Sequence, residues 1–302
     1  MKKIFNYGPL LIVIAAILWA LDGVIRRSLF VLPPITIVFY EHFLGALIIS
    51  PFIFKSLTKE KLTKKEIFLL FLISLLSGVL GTLWFTTALL MTHYISFSVV
   101  FLLQKLQPIF AITTAVIFLK EKISKNYLRW AALAVVAAYF VTFKNGFVDI
   151  KTDPNTIIAA LYALGAAFAW GSSTTISKMA LKDKDNTFIT GLRFIITAVL
   201  AFFAVFILKT QATLLTINLS QLLRFIIIAL STGMVAVLIY YKGLKKTQVR
   251  VSTILELTFP ILAIFIDAFL YKTFLAPSQL IAAAVLLFAM YKVAQFQKSN
   301  AV

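Results

Sequence analysis

An internal repeat constrains this chain of 302 residues more than any other feature of its sequence. Residues 12–29 return 151 positions later as residues 163–180, with Trp19 on Trp170 and the neighbouring alanine pairs in register. The register extends to His42 with Arg193 at the same offset and to Gln104 and Pro108 with Glu256 and Pro260 at 152. Each copy holds five apolar stretches of membrane length. Since five is odd, we expect the second copy to cross the bilayer in the opposite orientation.

Composition places the chain in a membrane. Hydrophobic residues make up 61% of the chain and charged residues only 13%, which leaves too few polar side chains to cover a water-soluble domain. The formal net charge of +18 does not indicate nucleic-acid binding, because the basic residues are spread between apolar stretches instead of forming one basic face. The chain has no cysteine, so disulfides and thiolate metal sites are excluded.

Apolar stretches long enough to cross a hydrocarbon core predict the fold. The predicted spans are 8–27, 34–54, 67–91, 95–119, 128–143, 156–177, 187–208, 221–242, 249–271 and 278–294. We therefore predict an all-α polytopic membrane protein of ten transmembrane helices, built as two inverted five-helix repeats around a central cavity. The expected units are residues 1–150 and 151–302, and the first span is expected to be retained instead of cleaved as a signal peptide.

The distribution of basic residues predicts the orientation. With the amino terminus inside, twenty Lys and Arg residues fall on the cytoplasmic side and seven on the other side. Loops rich in Lys and Arg stay cytoplasmic, so both termini are predicted to lie in the cytoplasm and the chain in the cytoplasmic membrane. Lys105 and Arg193 lie inside spans and need a separate explanation. Small-residue patterns predict close helix packing and leave both monomer and homodimer open.

Two prolines in the middle of spans four and nine mark the predicted binding region. Proline removes a backbone donor and clashes with the carbonyl four residues earlier, so the helices are expected to break beside Gln104 and Glu256. The polar residues beside these prolines are Gln104, Lys105 and Gln107 near Pro108, and Glu256 and Thr258 near Pro260. Packing kinks are a common alternative. The intramembrane charges of Lys105 and Glu256 favour a lined cavity, because an unpaired charge there costs several kcal/mol.

Aromatic residues supply candidate walls for a ligand. Trp19 and Trp170 lie near the centres of their spans, whereas tryptophans that anchor a protein concentrate at the membrane interfaces. Core filling remains an alternative for both. Trp84 and Tyr240 are further candidates for an aromatic wall.

Other polar residues inside spans have two interpretations each. Asp22 is either a ligand-binding residue or the partner of Arg26 one turn later. His42 could relay protons, but Glu41 and His42 are expected to have a solvated structural role near the outer end of span two. Arg193 is expected to be structural and to reach the head groups with its long side chain. Asp267 is a candidate for pairing with Lys272 or for a proton path.

The sequence carries no recognisable catalytic motif. Its two histidines form no HExxH motif, and there is no phosphate-binding glycine loop and no Walker motif. No enzymatic activity, cofactor or metal is predicted. Uphill transport by this chain would draw on an ion gradient or on exchange, with a proton as the predicted coupling ion.

The motifs resemble the EamA type of the drug/metabolite transporter superfamily over nearly the whole chain. The resemblance rests on the AAxxW of spans one and six, the Leu-Arg-Phe entry to span seven, the prolines of spans four and nine, and the FLKEK that follows span four. It implies alternating access in a cavity lined by helices one, three, four, six, eight and nine. The positions that it points to are Trp19, Gln104, Lys105, Pro108, Trp170, Tyr240, Glu256 and Pro260, together with Glu121 at the end of helix four. Thr273 and His42 depart from the family pattern.

The predicted cargo follows from the charges. Lys105 and Glu256 could bind the carboxylate and ammonium of a zwitterion, so the sequence predicts an exporter of amino acids or similar small metabolites. Lipophilic cations or nucleotide-like compounds are the alternative cargo. A non-transporting scaffold or lipid-handling protein is a more distant alternative, because the longest hydrophilic connection has only about a dozen residues.

Overall fold

The computed structural model describes residues 7–91, 103–104, 106–147, 154–271 and 276–296. The regular structure in these ranges is helical. Seven helices there are long and apolar enough to cross a membrane, and Gln107–Leu119 is a shorter apolar helix. The chain is a multi-pass helical membrane protein, as predicted. The count of ten crossings stays a prediction.

The helices coincide with the predicted spans wherever the chain is described. They are α1 (Gly8–Arg27), α2 (Pro34–Lys59), α3 (Lys64–Ile73), α4 (Thr82–Leu90), α5 (Gln107–Leu119), α6 (Lys125–Thr142), α7 (Pro154–Ala180), α8 (Asn186–Ile207), α9 (Leu219–Leu230), α10 (Met234–Lys246), α11 (Val249–Leu255), α12 (Thr258–Tyr271) and α13 (Pro277–Gln295). A π-helical segment, Ser74–Gly81, joins α3 to α4, and 3₁₀ turns occur at Lys144–Gly146 and Gln211–Leu215.

Local signals in the sequence set several helix starts. Thr63 and Glu66 form a capping box at the start of α3, and Asn218 and Gln221 form another at α9. The Asp185 carboxylate accepts two backbone N–H bonds at the start of α8. Prolines begin α2, α7 and α13, where a missing N–H costs no helical bond.

The described residues near the two mid-span prolines show helix boundaries, as predicted, and span eight is also interrupted, at residues 231–233, without a proline. Pro108 is the second residue of α5, and span nine divides into α11 and α12 around Glu256. The prediction that the Glu256 carbonyl loses its helical partner is only partly confirmed. Its partner four residues on is Pro260, but the carbonyl instead accepts the N–H of Phe259 at 3.1 Å. The Glu256 carbonyl therefore keeps a backbone partner at the interruption.

Equivalent helices of the two copies pack in equivalent ways. Helix α1 packs on α10 and α12, while its counterpart α7 packs on α4 and α5. Helix α2 packs on its counterpart α8, and α6 packs on its counterpart α13. This is the pattern that a two-fold relation between the copies produces. It brings α5 of the first copy next to α11 and α7 of the second.

Close backbone approach between α7 and α5 depends on Gly171. A Cβ built there would lie 2.6 Å from the backbone oxygen of Gln107, which cannot turn away. We expect Gly171→Ala to destabilise the protein by about 1 to 3 kcal/mol, the usual cost of overpacking. The measurement is the midpoint of thermal unfolding in detergent.

Gly191→Ala is the matched control for this prediction. The three atoms nearest to its Cβ would all belong to the side chain of Ile53, the closest being a terminal methyl at 2.7 Å that can rotate. A smaller loss is therefore expected at Gly191. Equal unfolding midpoints for the two variants would contradict the assigned role of Gly171.

Candidate functional site

A partly buried carboxylate, that of Glu256, lies at the interruption between α11 and α12, where three donors meet it. The Tyr240 hydroxyl on α10 donates to Oε1 at 2.7 Å, and the Gln107 amide on α5 donates to Oε2 at 3.0 Å. The Ser252 hydroxyl, one turn earlier on α11, donates to Oε1 at 3.3 Å. Segments from both copies therefore hold one carboxylate between them.

Two further polar residues extend this arrangement. The Gln104 amide donates to the Gln107 side-chain oxygen at 3.4 Å. The Thr174 hydroxyl on α7 lies 3.5 Å from the Tyr240 hydroxyl. The Glu256 cluster is defined here as Gln104, Gln107, Thr174, Tyr240, Ser252 and Glu256. It joins α5, α7, α10 and α11 in the interior of the bundle.

An aromatic pair lies beside the Glu256 cluster. The rings of Trp19 on α1 and Tyr240 have centroids 5.0 Å apart and an interplanar angle of 53°. Tyr240 itself is buried, whereas Trp19, Gln107 and Glu256 each keep part of their surface accessible. These three partly accessible residues are the candidates for contact with a small molecule.

An ionic cluster joins α1, α2 and the segment between α9 and α10. Arg26 binds the Asp22 carboxylate through Nε and the Glu41 carboxylate through Nη2, the latter at 2.9 Å. Thr232, in the interruption between α9 and α10, donates to Asp22 at 2.5 Å. The pairing of Asp22 with Arg26 is thus present. Asp22, Arg26, Glu41 and Thr232 form the Arg26 cluster.

The expectation of solvated residues in α2 and at Arg193 is wrong. Glu41 and His42 are buried, the first bonded to Arg26 and the second packed on Phe194 with ring centroids 4.9 Å apart. Arg193 is buried as well, since its guanidinium turns into the bundle and bonds Tyr241 and Ser77 instead of reaching the head groups. The packing of α2 against α8 encloses these side chains, which periodicity along one helix does not reveal.

Glu121, which follows α5 in the first copy, bonds the start of α11 in the second copy. Its carboxylate accepts the backbone N–H of Val249 at 2.8 Å and that of Arg250 at 3.1 Å. These groups lie in the first turn of α11, where backbone donors lack helical partners. A negative side chain there is also favoured by the helix dipole. Glu121 therefore fixes the start of the helix that ends at Glu256.

Comparison with known proteins identifies the family. The model of the EamA-like transporter family matches residues 6–143 and again residues 157–294. The chain belongs to this family. Membership makes it a membrane transporter, and each copy of the repeat carries one match.

Two curated relatives cover almost the whole EamA-like chain. The riboflavin transporter ImpX of Fusobacterium nucleatum subsp. nucleatum is 36% identical over 291 residues, which is 95% of this chain and 97% of that protein. Protein LicB of Haemophilus influenzae is 24% identical over 300 residues, which is 94% of this chain and 98% of that protein. A crystal structure at 15% identity has a TM-score of 0.74 and covers 98% of this chain and 99% of its own, which shows a common fold.

The EamA-like fold brings some predicted site residues together and separates others. Trp19, Gln104, Gln107, Tyr240 and Glu256 meet in or beside the Glu256 cluster, and the neighbouring Pro108 is buried at the start of α5. Trp170 instead donates from Nε1 to the Ser77 carbonyl at 3.3 Å and packs on Phe85. Trp84 packs on Gly165 beside the exposed side chains of Ile158 and Leu161. Asp22 lies in the Arg26 cluster.

Some predictions fall outside the described part of the chain. Lys105, Lys272 and Thr273 belong to the residues that the structure does not describe, and so do the side chains of Pro260 and Asp267. The pairing of Lys105 with Glu256 or with cargo therefore stays a prediction.

Residues that the sequence argument missed complete the site. Thr174, Ser252 and Ser77 carry hydroxyls that the structure places against Tyr240, Glu256 and Arg193. Hydroxyl residues are common in membrane helices, where they usually bond their own backbone. The available signal was their register: Thr174 lies one turn after Trp170 on α7, and Ser252 one turn before Glu256.

Proposed function

We propose that this chain carries riboflavin or a closely related planar heteroaromatic metabolite across the membrane by alternating access. The observation that carries the proposal is the Glu256 carboxylate, held at a helix interruption by donors from α5 and α10 beside the Trp19 and Tyr240 rings. The 36% identical relative is a riboflavin transporter, which supports this choice of cargo.

The chemistry of the cluster suits a flavin ring system. Its pyrimidine end offers an N–H between two carbonyls, which complements a carboxylate acceptor next to an amide donor. Glu256 and Gln107 provide these two groups side by side. The flat tricyclic face would pack on Trp19, in the offset geometry that aromatic rings prefer.

Orientation and coupling belong to the same proposal. The excess of basic residues on one side supports cytoplasmic termini in the cytoplasmic membrane. Two inverted halves, residues 1–150 and 151–302, would rock about the Glu256 cluster, and a proton is the proposed coupling ion. Export stays a prediction, and counterflow measurements assume no direction of transport.

Amino-acid zwitterions remain the second candidate cargo. The observation that favours them is the same carboxylate, since Glu256 could bind an ammonium group as well as a ring N–H. Competition separates the two candidates. Excess unlabelled amino acids would reduce the uptake of labelled flavin only if both share the site.

Trp19→Leu tests the aromatic part of the site. Loss of stacking on a planar heterocycle costs about 1 to 3 kcal/mol, so riboflavin should bind roughly 5- to 150-fold more weakly. Quenching of flavin fluorescence during titration of the purified protein measures the affinity.

Trp130→Leu is the matched control for Trp19→Leu. Trp130 packs on Phe288 between α6 and α13, outside the residues assigned to the Glu256 cluster. Riboflavin affinity should be unchanged by this variant. Equal affinities for both variants, or no flavin binding by the folded wild-type protein, would contradict the proposal.

A further inference from the structure

Arg193 on α8 is a buried arginine whose direct partners are neutral, and one of them, Tyr241, follows Tyr240 of the Glu256 cluster on α10. Arg193 is 7% exposed. Its Nη1 donates to the Tyr241 hydroxyl at 3.1 Å and its Nη2 to the Ser77 hydroxyl at 2.6 Å. The Arg193 Nε is buried without a hydrogen-bond partner, and so is the hydroxyl of Thr197 one turn later on α8.

The other buried arginines show what Arg193 lacks. Arg26 binds two carboxylates, and Arg250 lies 4.0 Å from the carboxylate of Glu121. Within the described residues, no carboxylate lies within 4.0 Å of Arg193. Glu41 is close enough to interact with its charge, but its carboxylate is already bound to Arg26. The Arg26 cluster has two carboxylates for one guanidinium, so its excess negative charge offsets that of Arg193 without direct contact. A guanidinium in a membrane bundle that contacts no carboxylate is costly, so an anion bound directly to it would stabilise it.

The backbone beside Arg193 is also irregular. Ser77 lies in the π-helical segment Ser74–Gly81, and its carbonyl accepts the Trp170 Nε1–H. Such segments occur frequently at functional sites. The Ser177 hydroxyl on α7 lies 3.0 Å from that of Tyr241. A guanidinium bonded to two hydroxyls, one of which is bonded to a third, provides a set of donors suited to an oxyanion.

We propose that Arg193, with Ser77, Ser177 and Tyr241, binds a carboxylate or phosphate group. These four residues form the Arg193 cluster. Tyr240 bonds Glu256 while the adjacent Tyr241 bonds Arg193. On α7, Thr174 and Ser177 lie one turn apart and contact the same two tyrosines. The two clusters are therefore adjacent inside the bundle, and the oxyanion belongs to the transported molecule.

The assignment of the oxyanion to cargo rests on the proposed function. A flavin bound at Glu256 would then carry its acidic group on its side chain, as riboflavin 5′-phosphate does. The Arg193 cluster would select the phosphorylated compound over the neutral one. Binding of a simple oxyanion at Arg193 does not depend on the identity of the ring.

Thermal unfolding with inorganic phosphate tests the site directly. In a neutral detergent, phosphate should raise the unfolding midpoint of wild type and of Arg193→Lys, which keeps the charge, by more than it raises that of Arg193→Gln. Arg224→Gln is the matched control, because Arg224 donates to the Ser28 carbonyl elsewhere on the molecule. General stabilisation of proteins by phosphate would appear equally in every variant. Equal shifts in wild type and Arg193→Gln, or no shift in wild type, would overturn the proposal.

Two additional arms identify the source of the oxyanion. Riboflavin 5′-phosphate should inhibit the counterflow of labelled riboflavin at a lower concentration than unlabelled riboflavin does. Arg193→Gln should reduce the ratio of these two inhibitory concentrations at least tenfold. Phosphatidylglycerol added to the micelles tests a lipid head group, and stabilisation by this lipid but not by phosphate would overturn the assignment to cargo. If Arg193→Gln does not fold, Tyr241→Phe tests the site instead. This variant keeps the Arg193 charge and should reduce the shift in unfolding midpoint that phosphate causes.

If folded wild type binds no flavin, the proposed cargo fails while the phosphate shift still decides the Arg193 site. If wild type carries riboflavin but shows neither a phosphate shift nor a preference for the phosphorylated compound, the Arg193 proposal alone fails.

Discussion

Glu256→Gln is expected to reduce riboflavin counterflow in proteoliposomes at least tenfold while the protein stays folded. Counterflow is the uptake of labelled riboflavin driven by unlabelled riboflavin loaded inside. A hydrogen bond to a charged group contributes about 1.5 to 3 kcal/mol, and each 1.4 kcal/mol is a tenfold change in affinity. Removing the charge weakens the bond from the cargo, because an amide oxygen is a weaker acceptor than a carboxylate.

The fold should tolerate this substitution because glutamine has the same shape and can keep both neighbours. Its carbonyl can accept from Tyr240, and its amide can donate to Gln107 once the Gln107 amide turns over. Glu60→Gln is the matched control, since Glu60 contacts Lys184 outside the Glu256 cluster. Unchanged counterflow by Glu256→Gln would contradict the assigned role of the carboxylate.

Arg26→Gln is expected to destabilise the protein by about 3 to 5 kcal/mol. The Arg26 side chain is 13% exposed, and the carboxylates it binds belong to Asp22 and Glu41, at 15% and 10%. Removing one partner of a buried ion cluster leaves the remaining charges unneutralised, which accounts for the size of the effect. The measurement is the free energy or midpoint of unfolding in detergent.

Neutralising the whole Arg26 cluster provides the control. The triple variant Asp22→Asn, Arg26→Gln and Glu41→Gln leaves none of these three side chains charged, so most of the lost stability should return. Thr232 can still donate to the residue at 22. A triple variant as unstable as Arg26→Gln would show that charge is not the cause.

Much of the fold could be predicted because membrane length and register act locally along the chain. The apolar stretches fixed where helices form, and the repeat indicated which helices are equivalent. The mid-span prolines correctly marked the interruption at Glu256 and the start of α5 at Gln107. Backbone hydrogen bonds in a membrane must be made within the protein, so a mid-span proline in the sequence predicts a helix boundary.

The partners of the charged residues could not be predicted, because they come from distant helices. Arg193 and Tyr241 are 48 residues apart, and Gln107 and Glu256 are 149 apart. Periodicity gives the face of a helix but not the neighbour that the face meets. The same limit explains the wrong expectation of solvated His42, whose environment is created by the packing of α2 on α8.

The position of a tryptophan along its predicted span was likewise a poor guide to the role of its side chain. Trp19 and Trp170 occupy equivalent positions, yet Trp19 meets Tyr240 while Trp170 bonds the Ser77 carbonyl. The two copies have therefore diverged in their interior contacts. The Glu256 carboxylate has Gln104 as its counterpart, and only the second copy provides the charge.

Counterflow of labelled riboflavin by purified wild-type protein tests the central claim most directly. Proteoliposomes preloaded with unlabelled riboflavin should accumulate the label transiently, and liposomes without protein should not. Excess amino acids should leave the uptake unchanged. No uptake of riboflavin by folded wild type, with uptake of a labelled amino acid under the same conditions, would contradict the proposed cargo.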